Sequence, residues 1–443
     1  MVRGLKIWFR SRLVRLLETL NIDPAVIKAL IRPPGPVHGG VKTRRFPWPR
    51  RRPFGKSELK AVMNLMKREI RQGGAIVYNG PEKAAYCSQF VDFLGGGGFA
   101  EAVNSGTNAV YVALRALDLE PGTEVIVPPI SDVGGVMPVA LMNCIPVPAD
   151  SAPYSLNTSA EEIAKVLSDR TSAILVAHIS GNPLDMDPIL ELAAARGIPV
   201  IEDCAQAHGA SYKGRMVGTL GDIAAFSTMF GKHHATGAQG GVVFTRDTML
   251  FSRVRQIADR GKPFGAVASN GNAVASLNFN QDEISLAIGR VQLAKLRESL
   301  QARRLFAVRV MAGLSECQVV RFVKPPEGSQ GAYWFILFRL ELAQLRCTTS
   351  EFAQALEKEG IGGVMGGYPF FPTDQPWHRD AIVYGKSGLP WALTQNTPCV
   401  YPLINAHEAN ASMIRVDVHE RLGRAEAHNL VTAILKLSRF FHV

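Results

Sequence analysis

The stretch Ser227-Thr228-Met229-Phe230-Gly231-Lys232-His233-His234 follows a predicted strand over Asp222 to Phe226, and Glu202-Asp203-Cys204-Ala205-Gln206 closes another predicted strand upstream. An amine and a carboxylate at neighbouring strand ends lie where wound α/β sheets place their ligands. That pairing is how pyridoxal phosphate is usually held: the lysine forms a Schiff base and the aspartate pairs the pyridinium nitrogen. A carboxylate there keeps the ring nitrogen protonated, and each pKa unit so gained is worth about 1.4 kcal/mol. Gln206 lies beside Asp203 and is placed to donate to the ring phenolate oxygen, and Ser227 offers a hydroxyl to the phosphate. Gly231 and the return Thr236-Gly237-Ala238-Gln239-Gly240-Gly241 let backbone approach a cofactor closely.

Outward from these residues, strand and helix patterns alternate. Short strands are predicted over Ala100 to Val103, Glu124 to Val127, Ser172 to Ala177, Pro199 to Ile201 and Gly240 to Thr245, with helices over Thr107 to Leu117, Ala160 to Leu167 and Pro188 to Arg196 between them. This predicts an α/β fold with a mainly parallel sheet in a large domain. A long helix over Gln281 to Leu305 then leads to a smaller α+β C-terminal domain, with strands over Tyr333 to Leu342 and Met413 to Val418 and helices over Thr349 to Glu359 and Ala425 to Leu437. The expected divisions are a basic extension and linker (1–56), a helical segment joining the small domain (57–98), a large cofactor-binding domain (99–290) and a small domain (291–443). Asn104-Ser105-Gly106-Thr107-Asn108 marks a strand-to-helix turn, where the amides of Gly106 and Thr107 and the helix dipole suit a phosphate.

The chain of 443 residues is 47% hydrophobic and 20% charged, enough for a large buried core in two or three domains. Its net charge of +11 is unevenly spread. Residues 1–56 carry fourteen of the 49 Lys and Arg against two of the 38 acidic residues, so the body is close to neutral and no nucleic-acid partner is expected. The extension has an amphipathic pattern over Lys6 to Leu30, then a Pro-broken basic linker through Arg52-Pro53. Two readings stand for it: packing on the enzyme or its dimer partner, which composition favours, or contact with an anionic membrane surface. Six scattered cysteines without CxxC spacing fit free thiols in a reducing cytoplasm and no zinc site. Neither a secretory signal nor a membrane span is expected, so the predicted location is cytoplasmic, with a peripheral place at the inner membrane face as the second reading.

The order Asn104-Ser105-Gly106-Thr107, Gly122-Thr123-Glu124-Val125-Ile126-Val127-Pro128, Asp185-Met186-Asp187, Glu202 to Ala210, Phe226-Ser227 with Lys232, and Leu277-Asn278-Phe279-Asn280-Gln281-Asp282-Glu283-Ile284 resembles the DegT/StrS family of sugar aminotransferases, across roughly 57–443. The resemblance implies the fold type I architecture of pyridoxal phosphate-dependent transferases. It implies Lys232 as the Schiff-base residue, Asp203 at the pyridine nitrogen and Gln206 near the ring oxygen. Ala205 would lie on one ring face, and Gly106, Thr107 and Ser227 would hold the phosphate. Asn278 would reach the phosphate of the neighbouring protomer, in a homodimer with shared active sites.

The implied activity is transfer of an amino group from glutamate or glutamine to a keto-sugar, nucleotide-linked or not, or to a keto-cyclitol, with pyridoxamine phosphate as the intermediate cofactor form. His419 is similar to a residue of cyclitol-type members. Some positions depart from the family pattern. Asp132 stands where an aromatic usually covers the other ring face, Ala238-Gln239 replaces the common Gly-Glu, and one extra residue separates Lys232 from Gly240-Gly241. Counting back from that glycine pair places His233 at the Schiff-base position, as in the family's pyridoxamine phosphate-dependent sugar dehydratases. Counting forward from Asp203 and Ser227 selects Lys232. The alternatives are therefore a dehydratase using His233, and a membrane-associated non-catalytic member acting through residues 1–56.

Overall fold

A computed structural model describes residues 41–264, 271–394 and 401–443; the amphipathic pattern over Lys6 to Leu30 lies outside them. Two helices, α1 (Lys56–Gln72) and α2 (Pro81–Phe93), precede the sheet. The large domain then runs β1 (Phe99–Val103), α3 (Gly106–Ala116), β2 (Glu124–Val127), α4 (Met137–Leu141), β3 (Ile145–Pro148), α5 (Ala160–Val166), β4 (Thr171–Ala177), α6 (Met186–Ala194) and β5 (Val200–Asp203). A small hairpin follows, β6 (Ser211–Tyr212) with β7 (Arg215–Met216), and then β8 (Ile223–Ser227), β9 (Gly241–Thr245) and α7 (Thr248–Ala258). The strand order is β1-β9-β8-β5-β4-β2-β3; β8, β5, β4, β2 and β3 run parallel, and β9 is antiparallel to both its neighbours.

The central strands are apolar without alternation because both faces are covered. Ile126, Ile174, Val176, Ala224 and Phe226 face a core shared with α2 and α6. Val125, Val127, Ala173, Leu175 and Ala225 face the opposite core, shared with α3 and α7. The sequence reading places no strand at β3, since Pro146 and Pro148 cannot donate to a ladder. The structure puts β3 at the sheet edge, bonded to β2 through Ile145 N (2.8 Å to Thr123 O) and Ala149 N (3.1 Å to Val127 O). Both prolines fall on the alternate positions that point away from β2, where a missing donor costs nothing.

A 31-residue helix, α8 (Glu283–Gly313), leaves the large domain. It runs unbroken through residue 290, where the expected division falls, and eight residues beyond the predicted end at Leu305. Glu283 caps α2, its carboxylate accepting from Glu82 N at 2.9 Å and Lys83 N at 2.8 Å. Through Tyr86, Phe90 and Phe93, α2 shares its core with the large sheet. Beyond α8 come β10 (Val320–Phe322), β11 (Phe335–Leu340), α9 (Thr349–Lys358), β12 (Val364–Gly366), α10 (Pro376–Arg379), α11 (Ile404–Ser412), β13 (Met413–Asp417) and α12 (Arg424–Phe441). The antiparallel order β10-β11-β13-β12 forms a second sheet. One face packs with Phe352, Leu430 and Ile434; the other, through Phe335, Leu337 and Met413, meets Ile130, Ala177 and Ile179 of the large domain.

Of the extension, the described part lies along the small domain: Thr43 Oγ1 donates to Glu359 at 2.6 Å, Arg44 pairs with Glu426 at 3.1 Å, and Trp48 packs on the small core. No helix among the described residues is long and apolar enough to cross a membrane. Cys87, Cys144, Cys204, Cys317 and Cys347 are free thiols.

Candidate active site

The site forms where β5 and β8 end side by side and α3 begins. Ser105 caps α3, accepting from Asn108 N at 3.1 Å, so Gly106 and Thr107 open the helix with N–H groups that have no intrahelical acceptor. A Cβ on Gly106 would stand 2.5 Å from Ser227 Cβ, so only glycine lets the helix start approach the end of β8 this closely. The turn after Asp132 closes on the same point: a Cβ on Gly134 would meet Thr107 Oγ1 at 2.3 Å, and one on Gly135 would meet Asp203 Oδ2 at 2.9 Å. Helix amides, a hydroxyl and a carboxylate thus border one recess.

Asp203 is 8% exposed and accepts from Ala205 N at 2.9 Å. Burial pushes its carboxyl up; the Ala205 hydrogen bond and the charge of Lys232 oppose that. Its strand end is held from behind by Glu202, which accepts from His178 at 3.1 Å, Gly218 N at 2.8 Å, Leu220 N at 2.7 Å and Gly221 N at 2.8 Å. Lys232 is 6% exposed, and its Nζ lies 3.8 Å from the centre of the Trp334 ring. Burial lowers its pKa to about 8, while the charges of Asp203 and Asp132 pull it upward. A lysine so lowered offers a larger neutral fraction near neutral pH than an ordinary lysine, which a nucleophile or proton carrier needs.

His233 and Lys232 point to different places. The His233 imidazole is buried, its Nε2 3.2 Å from Ala332 O and its ring 5.6 Å from that of His208. His234 is also buried and bonds Tyr86 OH at 2.7 Å. The lysine alone of this triplet stands over Trp334 within the electrostatic reach of Asp203. Gln206 accepts from Ser180 N at 2.8 Å and donates to Tyr368 OH at 3.0 Å. Ala205, between Asp203 and Gln206, is partly exposed.

The structure therefore brings Lys232, Asp203, Ala205, Gln206, Ser227, Gly106 and Thr107 into one region. Asn278 is elsewhere: it is exposed, and its Oδ1 accepts from Asn280 N at 3.1 Å and Asn280 Nδ2 at 2.8 Å. Asp132 is exposed at the mouth of the site and caps its own turn, accepting from Gly134 N at 2.9 Å. His419 lies outside the recess, its Nε2 3.0 Å from Pro49 O; a carbonyl can only accept, so Nε2 carries the proton. Two contributors escape sequence reading, Trp334 and Tyr368. Both come from the small-domain side of the chain, where no local motif marks them and only the folded chain brings them to Lys232 and Gln206.

Residues 58–432 match the DegT/DnrJ/EryC1/StrS aminotransferase family. A GDP-perosamine synthase of Caulobacter vibrioides is 34% identical over 267 residues, covering 59% of this chain and 70% of that protein. The dTDP-3-amino-3,4,6-trideoxy-alpha-D-glucose transaminase of Streptomyces venezuelae is 34% identical over 258 residues, 58% of this chain and 66% of that one. Among solved structures, the aminotransferase from Psychrobacter cryohalolentis superposes with a TM-score of 0.76 at 27% identity, covering 88% of this chain and 97% of that one. S. venezuelae DesV, solved in complex with a ketimine intermediate, gives 0.74 at 26% identity over 86% of this chain and 94% of its own. The architecture is that of the fold type I transferases, and the match runs from the start of α1 into α12. This chain belongs to the DegT/DnrJ/EryC1/StrS aminotransferase family.

Proposed function

We propose that the chain moves an amino group from glutamate or glutamine to the keto group of a nucleotide-linked sugar, using pyridoxal phosphate bound between α3, β5 and β8. The observation that carries this reading is Lys232: buried, with its pKa lowered to about 8, above Trp334 and in the field of Asp203. The residues fit the cofactor. The crowded glycine at 106, the Ser227 hydroxyl and the free amides opening α3 make a cradle for a phosphate dianion. Burial raises the pKa of Asp203, and a pyridinium cation beside it would lower it.

Pyridoxal phosphate, when bound, would supply an electron sink that acidifies the hydrogen on the carbon bearing the amino group. Asp203 would hold the proton on the ring nitrogen, and Gly106, Thr107 and Ser227 would bind the phosphate. Ala205 would lie against one ring face. Gln206, fixed by Ser180 N and Tyr368 OH, would set the ring-oxygen edge of the site. Neutral Lys232 Nζ would take the proton from the substrate carbon and return it two atoms away, across the nitrogen, as general base and then general acid. Asn278, exposed and with its side chain bonded only to Asn280 among the described contacts, is placed to serve a neighbouring protomer, which supports a homodimer with shared sites.

The nucleotide-linked acceptor is supported by the GDP- and dTDP-sugar enzymes among the relatives. Incubation of the holoenzyme with glutamate or glutamine and a panel of GDP- and dTDP-linked ketosugars, with a ketocyclitol alongside, tests it by mass spectrometry. Equal yields of the oxo acid and of an amino nucleotide-sugar are expected. Amination of the ketocyclitol alone would overturn the nucleotide-linked reading.

A further inference from the structure

The loop that carries Lys232 has four consecutive carbonyl oxygens bonded by side chains from outside it. Arg51 Nη1 lies 2.5 Å from Lys232 O and 3.4 Å from Phe230 O, and its Nη2 lies 2.9 Å from His233 O. Trp334 Nε1 donates to Gly231 O at 2.9 Å. The peptides before and after Lys232 are thereby both held, which fixes the direction in which its side chain leaves the backbone. A guanidinium suits this: its planar fork serves three carbonyls from one side chain, whereas an ammonium is a single point of charge.

Arg51 is itself anchored. Its Nε donates to Glu420 at 3.2 Å, and Glu420 pairs at 3.3 Å with Arg303, a residue of α8 that is 1% exposed. The backbone around it is pinned as well. Pro49 O is bonded by His419 at 3.0 Å, Arg50 O by Arg421 at 3.0 Å and Pro53 O by Gln292 at 2.8 Å. This strap precedes the family-matched region, which begins at residue 58.

We propose that Arg51 is a positioning residue for Lys232, and that the basic linker crosses the small domain to clamp the lysine loop against Trp334. The proposal rests on the reading of Lys232 given above. Arg51 does not touch the reacting atoms; it sets where the amine stands over Trp334 and beside Asp203. Part of the linker's positive charge is in this way spent on the enzyme's own carbonyls and on Glu420.

The test compares Arg51→Ala, Arg51→Lys and, as a control of equal charge change on an exposed neighbour, Arg52→Ala. Hydrogen exchange of residues 229–236 is measured in the cofactor-free protein, and kcat and KM in the holoenzyme. Arg51→Ala is expected to speed exchange in that segment about tenfold. It should lower kcat about 10- to 100-fold with KM nearly unchanged, with partial recovery on adding millimolar guanidinium ion. Arg51→Lys should stay impaired and Arg52→Ala should match the parent. Unchanged exchange and kcat in Arg51→Ala, or a loss that guanidinium does not restore, would overturn the proposal, as would an equal loss in Arg52→Ala. If Arg51→Ala does not fold, Glu420→Gln, which frees the Arg51 anchor, carries the same prediction at smaller size, and wild-type exchange in it would count against the clamp. Because exchange is read without cofactor, failure of the clamp is separable from failure of the lysine assignment, which Lys232→Ala tests.

Discussion

Lys232 and His233 are neighbours in sequence whose side chains diverge. The imidazole packs beside His208 and bonds Ala332 O, while the amine sits over an indole ring near two carboxylates. Sequence spacing alone left both in contention, because one extra residue before Gly240-Gly241 makes the two counts disagree; the side-chain directions supply what spacing lacks. The place of Asp203 was legible since a strand-end carboxylate and its followers Ala205 and Gln206 are contiguous. Trp334 and Tyr368 were not, since their contacts join positions more than a hundred residues apart. The field at Lys232 makes a signed prediction. Burial lowers its pKa and the Asp203 charge raises it, so Asp203→Asn removes the raising influence and leaves a lower value. In cofactor-free protein, the rate of pyridoxal phosphate uptake should rise with pH to a midpoint near 8, and Asp203→Asn should move that midpoint down. A stopped-flow pH series followed by absorbance checks this; an unmoved midpoint would mean the two groups do not sense each other.

On the proposed reading, phosphate binding depends on the first turn of α3. Gly106 is there because the end of β8 leaves no room for a Cβ. Gly106→Ala must push Ser227 or the helix start aside, a cost of about 1–3 kcal/mol for overpacking. Cofactor affinity should fall about tenfold or more, read by titrating apoprotein with pyridoxal phosphate; retained affinity would remove α3 from the phosphate site. Other elements show where sequence patterns stop informing. β3 breaks the rule against proline in strands and can do so only as an edge strand, and being at an edge is a property of the sheet that residues 145–148 do not encode. The hairpin β6–β7 has two residues per strand, too few for any period to show. By contrast β2, β8 and β9 were legible as short apolar runs because both of their faces are covered.

The whole molecule adds contacts that no single segment announces. The basic run through Arg52 reads as packing on the enzyme or its dimer partner, with an anionic membrane surface as the second reading, and its described part is tied to Glu359, Glu420, Glu426 and the lysine loop. Asn278 makes the complementary case: it is polar and exposed, and its side chain bonds only Asn280 among the described contacts, which is what a residue given to a second protomer would look like. If sites are shared in a homodimer, inactive Lys232→Ala and Asn278→Ala proteins, unfolded and refolded together, should regain activity. The mixed dimer keeps one site with both residues intact, so recovery should approach a quarter of the parent's, as random pairing yields half mixed dimers with one good site each. No recovery at all would place each site within one chain.

The central claim is that Lys232 is the residue to which pyridoxal phosphate is joined. The direct measurement is the absorption spectrum of the purified holoprotein and of Lys232→Ala, each reduced with borohydride and digested for mass spectrometry. A band at the visible edge is expected in the parent and lost in Lys232→Ala, with a reduced pyridoxyl adduct on the peptide containing Lys232. A band that survives Lys232→Ala, or an adduct on another lysine, would contradict the claim.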